Sequence, residues 1–440
     1  MARATLARPS CTAMAVDFAA AMRPMLDGPA ATATPPRLFT ALSGGPDSTA
    51  LACLAEEYAA NHGLRHTALI VDHRIRGDSA AEARRVADRM RRRDVAVEIL
   101  TVSDNAPMAG IQAWARARRY ELMLARVRLA GGCLLLGHHA GDQAETVMMR
   151  LQKSSGLVGL AAMKPVSCRA GVTILRPLLE MSARSLVDYC HACNVGFESD
   201  PSNLDHRFER VRVRAALAAM QRDGSAMSDR LMRLGRAAGS IDRALLHRLA
   251  DGGYLPAVRP SGHMLLPAAS AGLPAPIVAR LLAHVIGQVA RPSTPPSLLA
   301  LSRLAARLAD GRAATLGGAR FANHQGDWLV TAEIGRRPPR AQVRAGESAI
   351  FAGVWEIGSP VDAVIRHLGA AGSGAGRGAG RDWAGTAGWC AVPSLVRRAL
   401  PVLETLDGAL IYPHLQINAM CDDVSNNATA RFLPLAMYRH

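Results

Sequence analysis

Leu38-Phe39-Thr40-Ala41-Leu42-Ser43-Gly44-Gly45-Pro46-Asp47-Ser48 decides how the first half of this chain is read. A strand-like run, Leu38 to Leu42, passes into a helix-like run, Thr49 to Ala60, through six residues rich in turn formers. Adjacent glycines let backbone N–H groups turn toward an anion, and the helix N-terminus that follows adds the positive end of its dipole. A plain Gly-Pro turn capping a helix would account for the glycines and the proline. It would not call for a hydroxyl on each side of them and a carboxylate between. Ser43 and Ser48 supply donors to phosphate, and Asp47 is a candidate ligand for a magnesium ion accompanying a nucleotide. The loop has no Gly-Lys-Ser/Thr, which excludes a P-loop of the usual form.

Outward from this loop, apolar runs alternate with amphipathic helical stretches from Arg37 to about Leu175. That alternation predicts an α/β fold, a doubly wound parallel sheet with helices on both faces. Strands are expected at Leu38 to Leu42, Thr67 to Val71, Val95 to Val102, Cys133 to Leu136 and Val172 to Leu175. Ser79-Ala-Ala-Glu82 and Asp142-Gln-Ala-Glu145 have the capping-box pattern and are expected to open helices to Arg93 and Lys153. Ligands of such sheets collect at the carboxyl ends of the strands. There lie the Ser43 loop, Asp72-His73 and His138-His139. A helix from Ser182 to Cys193, a polar loop from Glu198 to Asp205 and a basic segment from Arg207 to Arg214 follow.

The domain reading is an N-terminal tail and short helix over 1–36, a nucleotide-binding catalytic domain over 37–222, and a helical and partly β C-terminal region over 223–440. In that last region helical patterns run from Ala226 to Leu249 and Ala275 to Val289, and a strand-rich section from Ala313 to Ile334. Residues 369–381 are too glycine-rich to pack a core and read as a loop or linker.

With 52 basic residues against 36 acidic ones, the formal net charge of +16 points to a polyanionic partner such as nucleic acid. Lys153 and Lys164 are the only lysines, and arginine suits bidentate phosphate contacts. Eight cysteines without a repeated spacing suggest no disulfide framework, which fits a reducing cytoplasm. Cys190-His191-Ala192-Cys193 has no second C-x-x-C to complete four thiolates, and Tyr189, Cys190 and Cys193 read better as one buried helix face. No run approaches the ~18 apolar residues that span a bilayer, so no membrane association is expected. The first 36 residues lack an apolar core and cleavage site for secretion, and read as a frayed tail followed by a helix from Ala15 to Leu26.

Gly137-His138-His139-Ala140-Gly141-Asp142-Gln143-Ala144-Glu145-Thr146 is the second informative cluster. Asp142 and Glu145, three apart, share the first turn of a helix and can point the same way. They complement the helix dipole, and are also placed to hold a cationic amine or a metal. Adjacent histidines at a strand end point opposite ways, which argues against a metal at His138 and His139.

The Ser43 to Ser48 loop resembles the SGGxDS loop of enzymes that cut ATP between its α and β phosphates, adenylating a carbonyl oxygen that a nucleophile then attacks. In order along residues 37 to 217, Val71-Asp72-His73, Gln112 through Arg116 to Tyr120, Gly137 to Thr146, Ser154 to Leu157, Arg176 to Leu179, Asp200-Pro201-Ser202-Asn203, Arg210 and Arg214 extend the likeness. The ordered set is similar to that of bacterial tRNA(Ile)-lysidine synthetases. Ala391-Val392-Pro393 and Pro401-Val402-Leu403 look like their C-terminal pattern.

The resemblance implies adenylation by ATP of C2 of the wobble cytidine in a tRNA(Ile) with a CAU anticodon, then displacement of AMP by the ε-amine of free lysine. It implies that Ser43, Gly44, Gly45, Pro46, Asp47 and Ser48 hold the ATP phosphates, with Mg2+ at Asp47. It gives Asp142 and Glu145 the lysine ammonium, and Arg116, Asn203 and Arg214 the contacts to nucleotide and activated base. The basic C-terminal region would grip tRNA phosphates. Monomer and homodimer both stay open. The chain departs from the family pattern at Gly141, where two consecutive aspartates are usual at 141–142, and at Val211, where Asn is usual. Neither touches the phosphate loop, and activity is expected. The rival readings are a tRNA thiolase with the same loop, for which only Cys190 and Cys193 are at hand, a non-catalytic RNA-binding relic, and a small-molecule amidotransferase, for which no glutaminase region is evident.

Overall fold

The computed structural model describes residues 9–26, 37–75, 77–153, 155–198, 207, 209–222, 226–292, 295–335, 338–369, 392–413, 417–418 and 428–432. It divides into two compact units between Asp242 and Arg243. The first is built from β1 (Arg37–Ala41), β2 (His66–Asp72), β3 (Val97–Thr101), β4 (Gly132–Leu135), β5 (Val166–Arg169) and β6 (Val172–Leu175). Its helices are α1 (Pro9–Leu26), α2 (Pro46–Asn61), α3 (Ser79–Arg91), α4 (Ile111–Ala130), α5 (Ala140–Gln152), α6 (Leu157–Leu160), α7 (Ala183–Ala192) and α8 (Glu209–Arg222). The division falls within α9 (Met227–Asp251).

The strands lie in the order β3-β2-β1-β4-β6-β5, parallel except for β5. Period-2 alternation sends neighbouring side chains to opposite faces. Leu38, Leu135 and Leu175 pack with α1, α2 and α7, while Phe39, Leu134 and Ile174 meet Tyr120, Met123, Leu124 and Val127 of α4. Helices therefore cover both faces, as the alternating pattern predicts. The order reverses beside β1, whose two neighbours are β2 and β4. This switch point opens a crevice at the carboxyl ends of β1 and β4.

Four local expectations need correcting. β5 was not expected, because Val166 to Arg169 offers no apolar run. It pairs with β6 through a two-residue turn, Ala170-Gly171, in which both φ values are positive (48° and 78°), as in a primed hairpin turn. Helix α1 starts at Pro9 rather than Ala15 and is no frayed tail over those residues, since Phe18 and Met22 are buried in the core. Ser79 does not cap α3 by a box with Glu82. Its hydroxyl donates to Asp72 Oδ1 (2.8 Å), which also accepts the Arg74 N–H (3.0 Å), so the buried Asp72 fixes the turn after β2. Cys11 and Cys193 are paired sulfur to sulfur, with Cα atoms 6.5 Å apart, across a sequence separation of 182. No spacing rule foresees a pair that forms only because α1 packs beside α7.

The second unit holds two β-containing layers. The first is β7 (Met264–Leu266), α10 (Ala275–Val289), α11 (Leu298–Ala309), β8 (Ala314–Leu316), β9 (Ala319–His324) and β10 (Asp327–Ala332), with sheet order β7-β10-β9-β8. The apolar faces of both helices bury Leu281, Leu282, Val285 and Leu304 with Phe321 and Trp328. The second was not foreseen as strand. It comprises β11 (Ala341–Val343), β12 (Ser348–Phe351), β13 (Trp355–Gly358), β14 (Ala363–His367), α12 (Ser394–Ala399), β15 (Pro401–Thr405), β16 (Leu410–Tyr412), β17 (Ile417–Asn418) and β18 (Thr429–Phe432). Its strands form sheets ordered β11-β14-β15-β16-β17 and β12-β13-β18 over a core including Phe351, Trp355, Ile365 and Val402. These strands are short and glycine-punctuated, which hides the alternation in sequence. The expected glycine-rich loop 369–381 lies, beyond Gly369, outside the described residues. Among the described residues no helix is long and apolar enough to cross a membrane.

Candidate active site

The phosphate loop is shaped by its own hydroxyls. Ser48 Oγ accepts the Ser43 N–H (3.1 Å), meets Ser43 Oγ at 3.0 Å and donates to the Gly45 carbonyl (3.0 Å). Thr49 Oγ1 donates to the Gly44 carbonyl (3.3 Å). Gly44 has φ +89°, and a Cβ there would stand 2.9 Å from Val86 Cγ2. Gly45 is extended at the N-cap of α2, and Pro46 occupies the first helical turn, where a missing N–H costs nothing. Gly137 lets the β4 loop come close, since a Cβ there would lie 3.3 Å from the Asp47 carbonyl. Glu198 closes the other side. Its N–H donates to the Gly44 carbonyl (2.8 Å) and its carboxylate pairs with Arg89 (2.6 Å).

Helix α5 starts one turn earlier than expected. His139 is its N-cap, with Nδ1 accepting the Gly141 N–H (3.0 Å) and its own N–H donating to Asp142 Oδ2 (3.1 Å). Asp142 is therefore the acidic member of a capping box whose other member is a histidine, and Glu145 is free of capping. The ring also accounts for Gly141, because a Cβ at that position would sit 2.8 Å from His139 Cε1. His139 Nε2 lies 3.7 Å from both Asp47 Oδ2 and Asp142 Oδ2, so one imidazole joins the phosphate loop to the carboxylate pair.

Asp142 and Glu145 are buried, 8 % and 3 % exposed, and so require partners. Arg210 supplies Nε to Glu145 Oε2 (2.7 Å) and Nη2 to Asp142 Oδ1 (2.8 Å). Arg214, one turn on along α8, supplies Nε to Glu145 Oε1 (2.5 Å) and Nη2 to Glu145 Oε2 (3.3 Å). The carboxylates expected to receive an ammonium thus already hold two guanidinium groups, with Arg214 paired to Glu145. Arg210 stood outside the expected site residues. The signal for it was present in the i, i+4 spacing of Arg210 and Arg214, which aims both at one partner once the segment is helical.

Burial alone would raise the Asp142 carboxyl, but His139, Arg210 and the His139 N–H together carry it below the usual carboxylate range. Asp47 goes the other way. Burial raises it, and His139 offsets this in part. The His138 imidazole is pushed down to about 4, chiefly by burial, with Arg176, Arg210 and Arg116 adding to the effect and Asp142 opposing it. It is neutral at pH 7, and its buried Nδ1 lacks a protein partner among the described residues. Arg116 lies over the Tyr120 ring at 5.4 Å, with Arg169 over the same ring at 4.4 Å. Asn203 lies outside the described residues, as do Asp200 to Ser202 and Ser154.

Cysteine chemistry finds no support at Cys190-x-x-Cys193. Cys193 is bonded to Cys11, and the buried Cys190 thiol, which donates to the Pro46 carbonyl (3.6 Å), is pushed up to about 12. Among the described residues no group of three or more His, Cys, Asp and Glu side chains is placed to hold a metal. The described residues therefore form no protein cage. They leave room for an ion carried in by phosphates and met by one carboxylate, which is how magnesium usually binds nucleotides.

A family model described as a PP-loop domain matches residues 15–221. Over 266 residues the chain is 38% identical to the tRNA(Ile)-lysidine synthase of Bradyrhizobium sp. (strain BTAi1 / ATCC BAA-1182), covering 57% of this chain and 74% of that protein. Over 348 residues it is 32% identical to the tRNA(Ile)-lysidine synthase of Ruegeria pomeroyi, covering 78% and 82%. Among solved structures, the U34-tRNA thiolase NcsA from Methanococcus maripaludis with its 4Fe-4S cluster is 16% identical, with a TM-score of 0.42 over 52% of this chain and 79% of that one, too distant to bear on substrate. The ordered motifs, the PP-loop domain and relatives matched over most of their length agree, and the chain belongs to the tRNA(Ile)-lysidine synthase family.

Proposed function

We propose that this enzyme uses ATP to adenylate C2 of the wobble cytidine of a tRNA(Ile) with a CAU anticodon and joins free lysine to that carbon, giving lysidine and releasing AMP. The observation that carries the reading is His139, 3.7 Å from Asp47 of the phosphate loop and 3.7 Å from Asp142 of the carboxylate pair. The proposed nucleotide and cation subsites would therefore adjoin, which supports a two-substrate ligation through an adenylate.

Ser43 to Ser48 would hold the ATP phosphates. The loop N–H groups and the α2 N-terminus face the charge that develops on pyrophosphate as it leaves, which is where electrostatic stabilisation lowers a barrier. Asp47 would hold Mg2+, which when bound supplies further charge neutralisation at those phosphates. Asp142 and Glu145 would receive the lysine ammonium, the cationic substrate of the scheme, at the buried anionic pair. Arg116, Arg214 and Asn203 are proposed to contact nucleotide and base. The basic second unit would bind tRNA phosphates, with affinity that falls as salt rises. A tRNA substrate and the lack of a membrane-crossing helix among the described residues fit a cytoplasmic enzyme.

The test is incorporation of labelled lysine into an unmodified tRNA(Ile) CAU transcript, with and without ATP. ATP-dependent labelling that is lost in Asp142→Ala supports the reaction and the amine subsite together. ATP binding without any labelling at saturating tRNA refutes the substrate assignment.

A further inference from the structure

Every oxygen of the Asp142–Glu145 pair already has a donor. Glu145 Oε1 takes Arg214 Nε, Oε2 takes both arginines, Asp142 Oδ1 takes Arg210 Nη2 and Oδ2 takes the His139 N–H. Most of these oxygens keep a second lone pair, but Arg210 bridges the two carboxylates through Nε and Nη2, so an ammonium that is to engage both of them has to take the place of a guanidinium. Arg210 is the one that must give way, because it alone hydrogen-bonds both carboxylates. Arg214 binds Glu145 and reaches Asp142 only at 3.8 Å. The Arg210 side chain is 37 % exposed and stands in the first turn of α8, with water beside it to withdraw into.

We propose that Arg210 is an internal competitor for the amine subsite and, by occupying the carboxylate pair when no amine is bound, sets both the affinity and the selectivity for the amine substrate. The inference rests on the reading of Asp142 and Glu145 as that subsite. Two physical consequences favour such an arrangement. A buried carboxylate pair left without a cation would pay a large desolvation penalty and take up a proton, whereas the paired form stays ionised. Exchange of one cation for another also leaves the buried net charge unchanged. The observed dissociation constant is then the intrinsic one divided by the fraction of molecules in which Arg210 has withdrawn. Weakly held amines that do not engage both carboxylates are kept out.

The experiment uses the full chain with ATP present, measuring L-lysine binding by equilibrium dialysis and the kcat and KM for lysine in tRNA labelling. Arg210→Met keeps the aliphatic stem and removes the competitor. It is expected to bind lysine about tenfold more tightly, corresponding to an open fraction near one tenth in the wild type. The lysine KM should fall in step, and ornithine should be discriminated against less. Added methylguanidinium should compete with lysine in Arg210→Met far more strongly than in wild type, which a merely structural arginine would not produce. Arg210→Lys, which keeps a cation that fills the pair less completely, should show intermediate tightening and serves where the Met variant does not fold. Unchanged or weaker lysine binding in these variants, with no competition by methylguanidinium, would overturn the proposal. Glu145→Gln separates the two levels of reading. If it abolishes lysine binding while Arg210→Met fails to tighten it, the competitor role alone falls. If it leaves lysine binding untouched, the subsite assignment falls too.

Discussion

Replacing Gly44 by alanine tests the phosphate loop where geometry sets the cost. At φ +89° an L-residue is strained by about 1–2 kcal/mol. The new methyl would also stand 2.9 Å from Val86 Cγ2, in a side chain only 3 % exposed, and overpacking of this kind costs about 1–3 kcal/mol. Gly44→Ala should therefore lose about 2–5 kcal/mol in urea unfolding followed by circular dichroism. Function should suffer as well, because the Gly44 carbonyl anchors the Glu198 N–H and the Thr49 hydroxyl, and a shifted backbone re-aims the loop N–H groups. The KM for ATP should rise. Val86→Ala separates the two contributions. Alone it deletes two buried methyl groups and costs about 2 kcal/mol. On the Gly44→Ala background it should cost about 1–3 kcal/mol less than that, since the methyl contact disappears while the dihedral strain persists. Strict additivity of the two substitutions would remove Val86 from the account. A Gly44→Ala protein with unchanged stability and ATP KM would refute the loop geometry itself.

Two other consequences are open to measurement. Gly141→Asp, which restores the aspartate usual in the family, places a Cβ against the His139 ring, so it should displace the cap of α5, lower stability by about 1 kcal/mol and reduce lysine incorporation; activity at or above wild type would show that the ring moves freely. His138, held near 4 in the fold against about 6.5 when unfolded, favours the native state only while neutral, so its contribution is complete above pH 6.5 and is lost as pH falls toward 4. About 1–3 kcal/mol should disappear over that window through His138, and the slope should become shallower in His138→Gln. His73, His263 and His367, whose imidazoles burial also pushes down, act in the same direction, and the depressed Asp142 carboxyl does so only below the usual carboxylate range, so an unchanged slope in His138→Gln would contradict the assignment.

The Ser43 to Ser48 loop was legible in the chain because its chemistry is local. A strand, two glycines, flanking hydroxyls and a helix are contiguous, and no distant partner is needed to aim the N–H groups. The strand and helix alternation up to Leu175 was legible for the same reason, as one face of each element is buried and the apolar period records it. Strand β5 escaped because its turn begins with Ala170 rather than a residue that commonly takes positive φ. Strands β11 to β18 escaped because segments of two to five residues are too short to show a period. The sequence by itself therefore settled the nucleotide-binding α/β half, its loop and the presence of an acidic pair at a helix start. Only the tertiary structure could decide what that pair is bonded to. Arg210 and Arg214 reach Asp142 and Glu145 across 65 to 69 residues of chain, and Cys11 meets Cys193 across 182, because strand order and helix packing fix such distances and sequence spacing does not.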